Sequence, residues 1–137
     1  MLTLRDLVDE GRLYPAPPEL VSTSPRERAA LGYLSANCGS CHNTSGSLAS
    51  LRLTFRQPAY GGGLAVIGPS LDRKTKWDRP GAVPETTTVI DRLTPEHGAL
   101  LFRMRSRRPT TQMPPLGTVV PDRDALDLVT RWAHEDR

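Results

Sequence analysis

The chain has 137 residues, a hydrophobic content of 37% and an aromatic content of 5%, a size that suits one domain with one core and one site rather than two domains. With 11 glycines and 13 prolines it reads as loop-rich, with a thin apolar core that something else completes. The formal net charge of +3 is spread along the whole chain, too mild to argue for a nucleic-acid partner, and no apolar run approaches the roughly 20 residues needed to span a bilayer.

In chain order, the opening MLTLRDLVDEGR holds no hydrophobic stretch of signal-peptide type, so a soluble chain is expected, its export signal removed or never present. A short helix over 4–10 is expected from a Thr3 cap, ending at Gly11. The Pro15-Ala16-Pro17-Pro18 run then reads as a stiff connector. It divides the chain into an N-terminal segment, 1–22, and a domain, 23–137. Ser24-Pro25-Arg26-Glu27 is a capping box with proline at the first helical position, so a helix is expected over 25–37. Ala30, Leu34 and Cys38 recur at four-residue spacing, and Leu31 widens the same apolar face.

That helix delivers the two cysteines of the chain, in Asn37-Cys38-Gly39-Ser40-Cys41-His42. Cys-x-x-Cys-His is the pattern of covalent haem attachment. Two thiols at this spacing can each bond one vinyl group of a haem, and the adjacent imidazole is then held at the iron as axial ligand. Three other readings compete. Structural zinc needs four ligands, and no second cysteine pair or His-x-x-x-His accompanies this one. A thioredoxin-like dithiol starts a helix, whereas these cysteines follow one. A disulfide across so short a loop stabilises little.

From His42 to Thr94 turn formers dominate, among them Gly61, Gly62, Gly63, Pro69, Pro80 and Gly81, so a wrapping loop with room for a short hairpin is expected. The triple glycine lacks the Gly-Lys-Ser or Gly-Lys-Thr of a phosphate loop. Thr94-Pro95 should open a second helix, with Thr94 as cap and Leu100, Leu101 and Met104 on its apolar side, stopped by Arg108-Pro109. Arginines 103, 105, 107 and 108 make its end basic, which matches the helix dipole and also suits haem propionates or an acidic redox partner. Asp122 should cap a third helix, about 123–135, with Ala125, Val129, Trp132 and Ala133 on one side.

A haem iron held by His42 needs an account of its second axial place. Met113 stands in Gln112-Met113-Pro114-Pro115-Leu116-Gly117, where two prolines exclude helix and central strand and stiffen the segment that presents the thioether. Met104 reads instead as a core gap-filler. His97 and His134 would give a bis-histidine haem, but both occupy positions typical of the surface.

Cys38-Gly39-Ser40-Cys41-His42 followed by Met113-Pro114-Pro115-Leu116-Gly117 resembles a class I c-type cytochrome, over roughly residues 24–134. Arg103-Met104-Arg105-Ser106 ahead of that methionine segment also resembles mono-haem domains fused to or working beside periplasmic dehydrogenases. The resemblance implies an all-α, cytochrome c-like fold: three or more helices, with long loops wrapped around one haem c attached through Cys38 and Cys41. It implies axial ligation by His42 and Met113, and first and last helices crossing beside the haem, with Trp132 suited to that contact. Gly68-Pro69-Ser70-Leu71 is similar to the family's Gly-Pro-x-Leu segment, which makes the Pro69 carbonyl the expected acceptor for the axial histidine. Trp77, Arg73, Lys74 and Lys76 are donors suited to propionates. Haem attachment in the family takes place outside the bacterial cytoplasm, so a periplasmic location is expected.

An iron with both axial places filled by protein suits single-electron transfer with a redox partner protein or fused dehydrogenase domain, without substrate turnover. The alternative is a gas sensor or peroxidase-like enzyme from which Met113 departs. No histidine near Met113 serves as a distal acid-base group there, although Gln112 and Arg108 are close in sequence.

Overall fold

A computed structural model describes residues 3–13, 22–58 and 63–135. These form five α-helices, α1 (Leu4–Asp9), α2 (Pro25–Cys38), α3 (Leu64–Ile67), α4 (Ala99–Arg105) and α5 (Arg123–Glu135), with three single 3₁₀ turns. The described residues are all-α: backbone pairing outside helices is limited to isolated bridges at Leu71–Ile90 and Lys74–Thr88. The hairpin for which the sequence left room is present only as this pairing, through Val89 N–H to Arg73 O at 2.7 Å and Thr75 N–H to Thr87 O at 2.9 Å. None of the described helices is long and apolar enough to cross a membrane.

Capping sets the helix starts. At α1 the Thr3 hydroxyl accepts from Asp6 N–H at 3.2 Å while Asp6 accepts from Thr3 N–H at 2.7 Å, and Gly11 follows at φ +68°, the left-handed conformation glycine adopts most readily. The proline connector, and with it the boundary between 1–22 and 23–137, lies outside the described residues. At α2 the Ser24 hydroxyl accepts from Glu27 N–H at 3.1 Å. The reciprocal half of the expected box is displaced by one residue. Glu27 accepts from the Thr23 N–H at 3.0 Å and from the Thr23 hydroxyl. At α5 the Asp122 carboxylate accepts from Ala125 N–H at 3.0 Å, as its position suggested.

The second expected helix is divided. Pro95–His97 forms a 3₁₀ turn, Thr94 makes no side-chain cap, and Gly98 is extended at φ −64°, ψ 148° before α4 begins. Asp91 instead closes the turn ahead of it, accepting from Leu93 N–H at 2.9 Å and Thr94 N–H at 2.8 Å. The N–H groups that start α4 bond outside the helix, Ala99 to Thr88 O at 2.8 Å and Leu100 to Val89 O at 2.9 Å. Docking on the 88–91 segment thus outcompetes a continuous helix. It also requires Gly98, where a Cβ would lie 2.8 Å from Asp91 N. Helix α4 stops at Arg105, short of Arg108-Pro109, where Arg107 turns back to donate to Met104 O at 3.0 Å and Val120 O at 3.3 Å.

Helix α5 packs on α2 and α4. The shared core holds Ala30, Leu31 and Leu34 of α2, Leu101 and Met104 of α4, Ala125, Val129, Trp132 and Ala133 of α5, and Phe55, Ile67, Val89 and Ile90 from the intervening chain. Met104 is a core residue, as its spacing suggested. Arg26 in the first turn of α2 pairs with Glu135 at the end of α5. Both side chains are partly open to solvent, so the pair adds little stability.

Candidate functional site

The Cys-x-x-Cys-His segment forms at the end of α2. Cys38 is the last helical residue, and its carbonyl accepts from both Cys41 N–H at 3.2 Å and His42 N–H at 2.8 Å, folding the chain back on the helix end. Asn43 holds this turn from behind, donating to Gly39 O at 3.1 Å and Ser40 O at 2.9 Å. Its own carbonyl accepts from Ser45 N–H at 3.0 Å. Gly39 has no room for a side chain, since a Cβ would lie 2.5 Å from Ser35 O and 3.0 Å from the Arg56 Cα. Asn43 was not singled out in the sequence, although an asparagine two residues before a serine, just past a helix end, is a turn signal.

Both cysteines are free; Cys38 is half-buried against the core and Cys41 is exposed. Burial, and secondarily the nearby Cys41, push the Cys38 thiol up to about 11. His42 is buried, its carbonyl accepting from Phe55 N–H at 2.9 Å and its ring meeting the Phe55 ring edge-on at 5.4 Å between centroids. Burial first, and then the positive charge of Arg103, hold its pKa below the usual histidine value. The imidazole is therefore kept neutral, the form in which it ligates metals. Its Nδ1 is buried with no hydrogen-bond partner.

The expected Pro69 carbonyl is not bonded to this nitrogen. Pro69 is exposed, in the 3₁₀ turn Gly68–Ser70, and makes no hydrogen bond to His42. The turn is closed locally, Leu71 N–H donating to Gly68 O at 2.9 Å.

His42, Met113 and Trp77 share the wall of one cavity of about 840 Å³, within the roughly 300–1,000 Å³ of small-molecule and cofactor sites. Its apolar lining comes from Leu51, Leu53, Phe55, Val89, Ala99 and Leu100, and its cations are Arg52, Arg73, Lys74, Lys76 and Arg103. No carboxylate lines it among the described residues. Segment 73–77 alternates half-buried Arg73, Thr75 and Trp77 with exposed Lys74 and Lys76, the two-residue period of extended chain. Met113 is half-buried, and its N–H donates to Arg103 O at 2.9 Å, fastening the proline loop to α4. The Arg103 guanidinium lies 5.0 Å from the centre of the Trp77 ring system, within cation–π range.

Of the six residues singled out for cofactor binding, the structure thus brings His42, Met113 and Trp77 together on the cavity. Cys38, Cys41 and Pro69 are not among its lining residues, though Cys41 is bonded directly to His42. His97 and His134 are exposed and away from the cavity wall. Among the described residues, no three His, Cys, Asp or Glu side chains converge as a metal site. An imidazole and a thioether on the same cavity are donors that could hold a haem iron, and the two thiols one turn away could hold its ring edge. No family model, curated protein or solved structure matches the chain.

Proposed function

We propose that this chain is a single-electron carrier of the class I c-type cytochrome kind, with a cytochrome c-like fold built on α2 and α5. The observation that carries the reading is the convergence of His42 and Met113, far apart in sequence, on one cavity directly beside a Cys-x-x-Cys-His turn. Cys38 and Cys41 would hold haem c through thioether bonds, with His42 and Met113 as its axial ligands. The group supplies one-electron exchange between ferric and ferrous iron.

The chain's own residues prepare this site. The turn clamped by Asn43 and the edge of Phe55 orient a neutral imidazole. The loop bonded to α4 presents a weak neutral ligand that favours the reduced state and raises the potential. Leu53, Phe55, Val89 and Leu100 give the cavity an apolar wall, while Arg73, Lys74, Lys76 and the Trp77 indole offer donors to two carboxylates. With His42 and Met113 both holding the iron, no position would be left for a substrate, so the reading is a carrier rather than an enzyme. Its partner would be a redox protein or a dehydrogenase domain outside the cytoplasm.

Intact mass of the purified protein after acid and organic extraction tests this reading. The expected mass is the polypeptide plus one haem; the bare polypeptide mass from a matured sample overturns it. Carbon monoxide added to the reduced protein should bind slowly and incompletely. Prompt, complete binding at neutral pH would favour a sensor or peroxidase-like site with a displaceable Met113.

A further inference from the structure

Arg103 joins three walls of the cavity. Its main-chain carbonyl accepts from Met113 N–H at 2.9 Å, its side-chain Nε donates to Thr111 O at 3.2 Å, and its guanidinium stacks over Trp77 at 5.0 Å. Thr111 is itself buried and bonded to the Ser106 hydroxyl at 2.6 Å, so the segment Arg103 grips is fixed at both ends. No carboxylate pairs with Arg103 among the described residues. Burial lowers its pKa from the ordinary arginine value, yet a guanidinium stays charged. The half-buried cation is held by a carbonyl of the Met113 loop on one side and an indole on the other.

We infer that Arg103 is the positioning residue of Met113, a planar clamp that fastens the thioether-bearing loop to α4 and to the Trp77 wall. The inference rests on the reading of Met113 as axial ligand. A thioether is a weak, uncharged ligand, so its occupancy depends on how little its loop can move when the bond opens. Lysine cannot reproduce the clamp, because an ammonium offers neither a planar face to the indole nor an Nε–H beside it.

The test uses the full haem-loaded chain and the variants Arg103→Lys, Arg103→Gln and Trp77→Leu, with Arg123→Gln, on an exposed position of α5, as control. The first readout is affinity of the ferric protein for added imidazole, which competes with Met113. The second is the methionine-to-iron absorption followed with pH, and the third is amide hydrogen exchange at Met113. Arg103→Lys keeps the charge, so an electrostatic role would leave it like the parent. The clamp instead makes it bind imidazole about tenfold more tightly, the factor one lost hydrogen bond carries. It should also lose the methionine absorption at lower pH and exchange the Met113 amide faster. Arg103→Gln and Trp77→Leu should shift the same way, and Arg123→Gln should not move. Parent-like affinity and exchange in Arg103→Lys and Trp77→Leu, with unchanged circular dichroism, would overturn the inference. A parent protein without methionine-to-iron absorption would instead overturn the ligand reading, and exchange at Met113 would still judge the clamp.

Discussion

Replacing Met104 by alanine and replacing Met113 by alanine remove the same atoms from the chain, with different consequences. Met104 is 8% exposed within the core shared by α2, α4 and α5. Truncation deletes about three methylene-sized groups at roughly 0.8 kcal/mol each, and the residual cavity brings the cost to about 3–4 kcal/mol. For a domain of this length that lowers Tm by about 10–15 °C. Met113 is only half-buried, with its backbone rather than its side chain bonded to α4, so the packing loss should stay below about 1.5 kcal/mol. Its removal should instead lower the reduction potential and admit external ligands. Urea unfolding followed by circular dichroism reads the first effect; potentiometry and the ferric spectrum read the second. A Met104→Ala protein within about 0.5 kcal/mol of the parent would refute the core assignment. Unchanged spectra and potential in Met113→Ala would refute the ligand assignment.

Gly39→Ala should cost about 1–3 kcal/mol because the new Cβ meets backbone on two sides; Gly68→Ala, with nothing within 4 Å, should cost well under that, and equal urea midpoints would show the turn to be looser than described. In the chain without covalent haem, the Cys38 thiol at about 11 against an ordinary 9.0 leaves about a hundredfold fewer thiolates at pH 8. Iodoacetamide should therefore label exposed Cys41 first, and mass-mapped labelling of Cys38 at an equal rate would contradict its burial. The same raised pKa favours folding of the haem-free chain below pH 9, a contribution lost as pH climbs from 9 to about 11, so the urea midpoint of the haem-free chain should fall across that window, and less with Cys38→Ala. Asp122→Ala should cost about 1 kcal/mol by removing the α5 cap, and Asp122→Asn only a fraction of it; no difference between the two in urea would show that the side chain caps nothing.

Much of the helical frame is legible before any folding. The starts of α1, α2 and α5 follow from Thr3, Ser24 and Asp122, because a cap is a bond between residues three apart and needs no distant partner. The apolar faces of α2 and α5, and the core place of Met104, follow from spacing alone for the same reason. The site is legible as a list of donors, since Cys38, Cys41, His42, Met113 and Trp77 announce their chemistry by type and neighbourhood.

What folding alone decides is where long-range partners compete with these local rules. The expected helix after Thr94 breaks at Gly98 because carbonyls of Thr88 and Val89 take the N–H groups of Ala99 and Leu100. Pro69 is exposed, and His42 Nδ1 has no hydrogen-bond partner. Arg103, read locally as one of several cations at a helix end, becomes the link between the Met113 loop and Trp77. Local bonds are set by residues a turn apart and can be read from order alone, whereas a cavity is a set of surfaces that meet only when the helices pack.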